Sequence, residues 1–106
     1  MIRVSVIYEK KGKSTFNYDY YVKTHMPLAG KHLHPVKMEV DKVSGAPDGS
    51  PPSIHCVGYL YFANIDAFRK ALATGAGPVM ADISNYYSGG QPTVLVSEVV
   101  DIPVKA

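Results

Sequence analysis

A chain of 106 residues with a formal charge of +2, 46% hydrophobic residues and one cysteine has room for one domain built on one core, spanning 1–106. Its basic residues are scattered apart from Lys10, Lys11 and Lys13 around Gly12. Without a basic stripe or a recognisable binding motif, no nucleic-acid partner is expected. Cys56 alone rules out an internal disulfide and fits a reducing compartment. No cationic segment leads into an apolar signal core, and no apolar run nears the roughly 20 residues of a bilayer span. A cytoplasmic protein without a membrane partner is expected.

Ile2, Val4, Val6 and Tyr8 alternate with Arg3, Ser5 and Ile7, the period of a strand with one apolar face. An amphipathic helix follows over about Asn17 to Leu33. Asn17 caps its first turn, and Phe16 and Tyr21 are spaced for a hydrophobic staple. Tyr18, Tyr21, Val22, His25, Ala29 and Leu33 recur at three- and four-residue steps and form the stripe that faces the core. Pro27 interrupts it: without an N–H for the carbonyl of Lys23, it predicts a stop or kink near His25, with a restart at Pro27.

Val36, Met38 and Val40 alternate with Lys37, Glu39 and Asp41 in a second strand. Gly45, Pro47, Gly49, Pro51 and Pro52 make Ser44–Ser53 a loop. In the third strand, Ile54–Phe62, one face carries Ile54, Cys56, Leu60 and Phe62, the other His55, Val57, Tyr59 and Tyr61. Asn64 caps a helix whose stripe, Phe68, Ala71 and Leu72, ends around Gly75. Pro78 then opens a second helical piece with Val79, Met80 and Ile83 inward, closed by Ser88-Gly89-Gly90. Thr93–Ile102 is the last strand.

Strand, helix, strand, strand, helix, strand is the ferredoxin-like βαββαβ plan of the α+β class: an antiparallel four-stranded sheet with both helices on one side. Such a sheet reads apolar inward and polar outward. Val57, Tyr59 and Tyr61 on strand 3, and Leu95 and Val99 opposite Val94, Val96 and Val100 on strand 4, break that rule. Both faces read as buried. A second copy of the sheet is the simplest cover, so a homodimer closed as an α/β barrel is expected.

His25 is the leading candidate for acid–base chemistry, because imidazole titrates near neutrality without a large shift. Two readings of it stand: a catalytic group, or a histidine that ties off a carbonyl freed by the helix break. Tyr21, one turn earlier, shares its cavity, whereas Tyr20 points elsewhere unless the helix is distorted. Asp82, Asn85 and Tyr86 form a second cluster, with Asp82 and Tyr86 on one face if the helix persists. They either orient a base and bind a carbonyl, or Asn85 ends the helix in left-handed geometry beside an exposed Asp82. His25, His32 and His34 lack the spacing and companions of a metal site, so no metal is expected. His55 and Cys56 point to opposite sides of their strand, and Cys56 reads as core packing. Gly75-Ala76-Gly77-Pro78 is too short for a dinucleotide cradle, and no cofactor is expected.

Phe-x-x-x-Tyr-Tyr from Phe16, followed by Thr24-His25-Met26-Pro27-Leu28, resembles the signature of the EthD family, small proteins named for ethyl tert-butyl ether degradation. Met1 to Tyr8, Gly58-Tyr59-Leu60-Tyr61-Phe62 and Met80-Ala81-Asp82-Ile83-Ser84-Asn85-Tyr86 extend the similarity over nearly the whole chain. Ser84 departs from the proline common in the family at that turn. The resemblance implies a dimeric α+β barrel. It also implies a cofactor-independent enzyme of oxidoreductase, isomerase or cyclase type, acting on a small hydrophobic or aromatic oxygenated metabolite near His25. The alternative is a non-catalytic ligand-binding or accessory module of a degradation pathway. Proteins of similar fold perform unrelated reactions.

Overall fold

Alternation in the first strand decides which side of the sheet is covered. Ile2, Val4, Val6 and Tyr8 of β1 (Ile2–Glu9) pack into the core with Leu60, Phe62 and Phe68. The computed structural model describes residues 1–105. Its further elements are α1 (Tyr18–Tyr20), a π-helical turn (Tyr21–His25), α2 (Met26–Leu33), β2 (Lys37–Lys42), β3 (Ile54–Phe62), α3 (Ile65–Ala81), a 3-10 turn (Ile83–Asn85) and β4 (Thr93–Glu98). The four strands form one antiparallel sheet in the order β2-β3-β1-β4, and the helices pack on one face of it. This is the ferredoxin-like α+β plan. Among the described residues, no helix is long and apolar enough to cross a membrane.

The expected interruption near His25 takes the form of a wide turn, not a stop, and α2 restarts with Pro27 in its first turn. Asn17 caps the first turn through Tyr20 N–H at 3.1 Å, the Phe16 and Tyr21 rings meet at 5.2 Å as a staple requires, and the helix then continues to Leu33. It passes Pro27 by widening: Met26 N–H reaches Tyr21 C=O, five residues back, and the proline sits in the first turn of α2, where its missing N–H is tolerated. The extra residue in that turn rotates the inward stripe. Met26 joins Tyr21, His25, Ala29 and Leu33 in the interior, while Val22, expected inside, is exposed. His34 closes α2 in left-handed geometry at φ 51°.

The second helix is also longer than expected. α3 continues through Gly75 and Pro78 to Ala81, because Gly75 serves a helix crossing instead of a terminus. A Cβ on Gly75 would lie 2.1 Å from the carbonyl oxygen of His32, so glycine lets α3 press against the end of α2. β4 stops at Glu98, short of Ile102: Glu98 faces Ile2, and one more backbone bond, Val99 N–H to Met1 C=O at 3.0 Å, ends the pairing.

The open face corrects a second expectation. It is less apolar than alternation implied: Tyr61 donates to Glu39, Arg3 donates to Tyr61 at 3.2 Å, and Tyr59 donates to Asp41 at 2.8 Å. The chain's own elements also leave β4 uncovered. Val94, Leu95 and Val96 are each about half exposed, because β4 is an edge strand and the helices sit over β1 and β3.

Gly75→Ala is expected to destabilise the protein by about 1–3 kcal/mol through overpacking at the α2–α3 crossing. Gly77→Ala on the same helix, where a Cβ meets nothing within 4 Å, is expected to stabilise it by about 0.5–1 kcal/mol. Urea unfolding of both variants checks the contrast.

Candidate functional site

The polar groups of the molecule's interior meet where β1, the π-helical turn and the segment after α3 converge. The widened turn places Tyr21 and His25 on one side, their rings stacked at 5.3 Å and 16°. Backbone pairing brings up the other side: Asn17 N–H donates to Tyr86 C=O at 2.8 Å, Ser88 N–H donates to Thr15 C=O at 3.1 Å, and Phe16 bridges Tyr87. This clamp lays the Tyr86 ring against His25 at 4.5 Å.

His25 is 4% exposed, and both of its ring nitrogens are engaged. Nδ1 lies 2.9 Å from Asp82 Oδ2, and Nε2 lies 3.1 Å from Tyr86 Oη. Tyr86 Oη in turn is 2.7 Å from Tyr8 Oη. Asp82 is held by two further donors, Tyr20 Oη at 2.7 Å and Asn85 Nδ2 at 2.9 Å, both on Oδ1. Four side chains therefore form a continuous line, Asp82, His25, Tyr86, Tyr8.

The charges in this line follow from burial and bonding. Burial pushes the His25 imidazole below its ordinary value, against the opposing pull of the hydrogen bond and charge of Asp82. Burial acts to raise the Asp82 carboxyl, but hydrogen bonds from Asn85, Tyr20 and His25 outweigh it and hold the group low. At neutral pH the pair is a carboxylate beside a neutral imidazole. A carboxylate only accepts, so Nδ1 carries the proton and donates, and Nε2 accepts from Tyr86. Tyr86 has then given its proton, so Tyr8 donates to Tyr86. Burial raises both phenols; Tyr8, despite its hydrogen bonds with Tyr86 and Tyr21, is pushed up to about 12. This is the orienting logic of a histidine base backed by a carboxylate, with a tyrosine on its free nitrogen.

The line ends at a cavity of about 150 Å³ between the helices and the sheet, lined by Tyr8, Tyr21, His25 and by apolar residues that include Val4, Leu60, Phe68 and Met80. Gly58 makes room here: a Cβ at that position would lie 1.8 Å from the Tyr21 hydroxyl. A shallower groove of about 580 Å³ lies on the outer side, lined by Asn17, Tyr18, Lys42, Asn85 and Tyr86 among others.

The residues singled out by sequence thus come together, in unequal positions. His25 and Tyr21 line the apolar cavity, whereas Asp82 and Asn85 stand behind the imidazole and Tyr86 beside it. Asn85 sits in the 3-10 turn after α3, not in left-handed geometry, and Asp82 is engaged by three partners, not simply exposed. Ser84 leaves that turn intact. Tyr20, set aside because it points away in a regular helix, reaches Asp82 because the helix is distorted. Tyr8 reads in the sequence only as a core residue; its one signal is a lone hydroxyl at the end of an otherwise aliphatic strand face. Cys56 is fully buried with its thiol pushed up to about 12 by burial, and His55 stacks on Phe16 away from the site. Among the described residues, no three His, Cys, Asp or Glu side chains are grouped to hold a metal ion.

The family model of the EthD domain matches residues 13–90. Among solved structures, an EthD-like protein from Ralstonia eutropha JMP134 is 27% identical, with a TM-score of 0.83 over 94% of this chain and 92% of that one. An EthD family protein from Bacillus halodurans C-125 is 20% identical, with a TM-score of 0.75 over 94% of this chain and 99% of that one. HapK from Hahella chejuensis is 19% identical, with a TM-score of 0.58 over 100% and 99%. The last two likenesses are of fold. No curated protein matches the chain.

The lowered His25 and Asp82 values predict acid sensitivity in two steps. An unfolded imidazole gains its proton near 6.5 and the folded one only at lower pH, so acid favours the unfolded chain. The contribution of neutral His25 is complete above about 6.5 and is lost as pH falls from there through its folded value. That of Asp82 is complete above its ordinary 3.8 and is lost as pH falls through its lower folded value. Each proton contributes a slope of at most about 1.4 kcal/mol per pH unit. His55 is displaced downward as well, so the difference between parent and His25→Gln isolates one group. Urea midpoints followed across pH should show a shallower first step in the variant.

Proposed function

The chain belongs to the EthD family, and on that premise we propose that it is a cofactor-independent acid–base enzyme acting on a small hydrophobic or aromatic oxygenated metabolite in the cavity beside His25. The observation that carries this reading is the imidazole itself: buried, held neutral, oriented by Asp82 through Nδ1 and bonded through Nε2 to a tyrosine chain that ends at the cavity. His25 takes a proton as the substrate ionises and returns it in the second half of the reaction. Asp82 fixes the tautomer and stabilises the imidazolium, and Tyr20 and Asn85 fix Asp82. Proton transfer of this kind suits isomerisation, cyclisation or cofactor-free oxidation of an activated carbon acid. The cavity is smaller than the roughly 300–1,000 Å³ pockets of drug-sized ligands, in keeping with a small substrate.

In a screen of aromatic lactones, quinols and polyketide-like compounds, His25→Gln is expected to lower turnover by about 100- to 10,000-fold with circular dichroism unchanged. A binding module, the second reading, shows no turnover in the parent and only a change of affinity in the variant. Normal turnover by the variant overturns the assignment.

We further propose that two copies pair through their open sheet faces to form a closed barrel in the cytoplasm. Half-exposed Leu95 on the edge strand supports this, as does Val57, buried on the uncovered side of β3. A homodimer of twice 11.5 kDa is expected by light scattering at micromolar concentration. Leu95→Asp is expected to give monomers, and a parent that is already monomeric refutes the pairing.

A further inference from the structure

Nearness to the cavity does not make the imidazole the group that meets a ligand. Both nitrogens of His25 are engaged, Nδ1 by Asp82 and Nε2 by Tyr86, and what the ring presents to the cavity is its carbon edge. Tyr86 is absent from the cavity wall, whereas Tyr8 lines it. Of the four groups in line, Tyr8 is therefore the polar end that an occupant reaches. We propose that the occupant is an uncharged compound of about one ring bearing a phenolic or enolic hydroxyl, and that it binds the oxygen of Tyr8, from which its proton travels through Tyr86 to His25. The proposal rests on the acid–base reading of this site and adds the contacting residue and the ligand class.

Three observations fix the class. Size comes first: a cavity of about 150 Å³ with apolar walls admits a benzene-sized molecule in another protein, and this one has the same volume. Charge comes second, since no Lys, Arg, Asp or Glu side chain lines the space. A carboxylate, phosphate or ammonium would lose its hydration there without compensation. Hydrogen-bond polarity comes third. Asp82 only accepts, so Nδ1–H donates to it. Nε2 must then accept from Tyr86, and Tyr86 must accept from Tyr8. In this resting arrangement the Tyr8 proton is committed to Tyr86 at 2.7 Å and the neighbouring Tyr21 hydroxyl, also in the cavity wall, is engaged with Tyr8, so the Tyr8 oxygen meets an occupant only through its remaining lone pair, as an acceptor. It receives a hydroxyl and offers nothing to an ether or a ketone.

The transfer balances without a further reactant. The ligand O–H bond breaks and leaves its electron pair on the ligand oxygen. The proton goes to Tyr8 Oη, the former Tyr8 proton to Tyr86 Oη, and the former Tyr86 proton to His25 Nε2. Each phenol ends neutral with its hydrogen on the opposite side. The products are a phenolate or enolate that now accepts the hydrogen bond of the reoriented Tyr8 hydroxyl, a compensation an anion entering the resting site does not find, and an imidazolium still bonded to the Asp82 carboxylate. Reversal of the line makes Tyr8 a donor, able to return the proton to oxygen or to a neighbouring carbon of the enolate. Tyr8 is in this sense a catalytic residue, and Tyr86 is its relay.

Calorimetric titration of the full chain with phenol, anisole and benzoate tests this without any turnover. Phenol is expected to bind about five- to tenfold more tightly than anisole, which has the same ring and no hydroxyl proton, and benzoate not measurably. Tyr8→Phe keeps the packed ring and is expected to bring phenol and anisole to equal affinity. Tyr86→Phe provides a second variant: it frees the Tyr8 proton to donate, so the phenol preference falls toward one. Equal affinities in the parent, benzoate binding as well as phenol, a phenol preference retained in both variants, or no binding of any of the three overturns the proposal. Phenol binding with the Tyr8 signature, in a protein whose turnover does not depend on His25, would refute the acid–base reading and leave the ligand class standing. Turnover dependent on His25 without a phenol preference would do the reverse.

Discussion

Pro27 has no N–H to return to the carbonyl of Lys23, and the helix absorbs the loss by closing Met26 N–H on Tyr21 C=O across one extra residue. Much of the site follows from that wide turn. With regular α geometry, Tyr20 lies off the inward face and Val22 on it. With the π turn, Val22 is turned out, Met26 is turned in, and Tyr20 reaches Asp82 at 2.7 Å. A π turn costs helical regularity and is common beside functional groups. Here it aims three neighbouring side chains, Tyr20, Tyr21 and His25, at two adjoining targets.

Asp82 converts that local distortion into a tertiary link. It lies between the end of α3 and the 3-10 turn and accepts from Tyr20, His25 and Asn85. The two helical regions, about 60 positions apart in the chain, are joined by one carboxylate. The backbone clamp of residues 15–17 on 86–88 holds the same two regions a few residues away, so Asp82 does not have to supply the docking energy. It is free to be specified by its chemistry. The aromatic packing around it, Tyr8 with Phe16, Tyr21, Tyr86 and Tyr87 at 5.1–5.5 Å, adds roughly 0.5–1.5 kcal/mol per pair and fixes the rings that carry the hydroxyls.

How much of this was legible in the chain depended on the range of the interaction. Local patterns were: the alternation of β1, the Asn17 and Asn64 caps and the Phe16–Tyr21 staple stand as read, and the element order yields the sheet topology. Helix interruptions are legible only in part, right in place but not in form at Pro27 and wrong in place at Gly75, for one reason. Proline and glycine read as punctuation, yet Pro27 is absorbed by a wide turn and Gly75 is required by close approach to His32, and a single sequence does not distinguish these uses. His25 was legible because a titratable group stood on an apolar stripe. Its link to Asp82 was not, because periodicity along one helix carries no information about which residue of another helix it meets. Tyr8 was hidden by its own success as a core residue: on β1 it continues the Ile2, Val4, Val6 series, and only the third dimension shows that its hydroxyl has a partner.

The open sheet face illustrates the complementary limit. Alternation counted Tyr59 and Tyr61 as apolar, since their rings are, and so overstated the patch. Their hydroxyls are tied to Asp41 and Glu39, and Arg3 lies over both rings at 5.6–5.7 Å. A surface of this kind, aromatic bodies with satisfied polar tips and Val57 beneath, loses less on exposure to water than an aliphatic one of equal area. It also loses less on burial than one with unpaired charges, because each hydroxyl keeps its acceptor. Exposed aliphatic side chains lie instead along β4, in Val94, Leu95 and Val96, and after it in Val100, Ile102 and Val104. Val94 sits on the helix side of that edge and forms part of the cavity wall, whereas Leu95 faces the other way. The edge strand therefore serves two surfaces at once, and a change at Val94 acts on ligand access while a change at Leu95 acts on whatever covers the sheet.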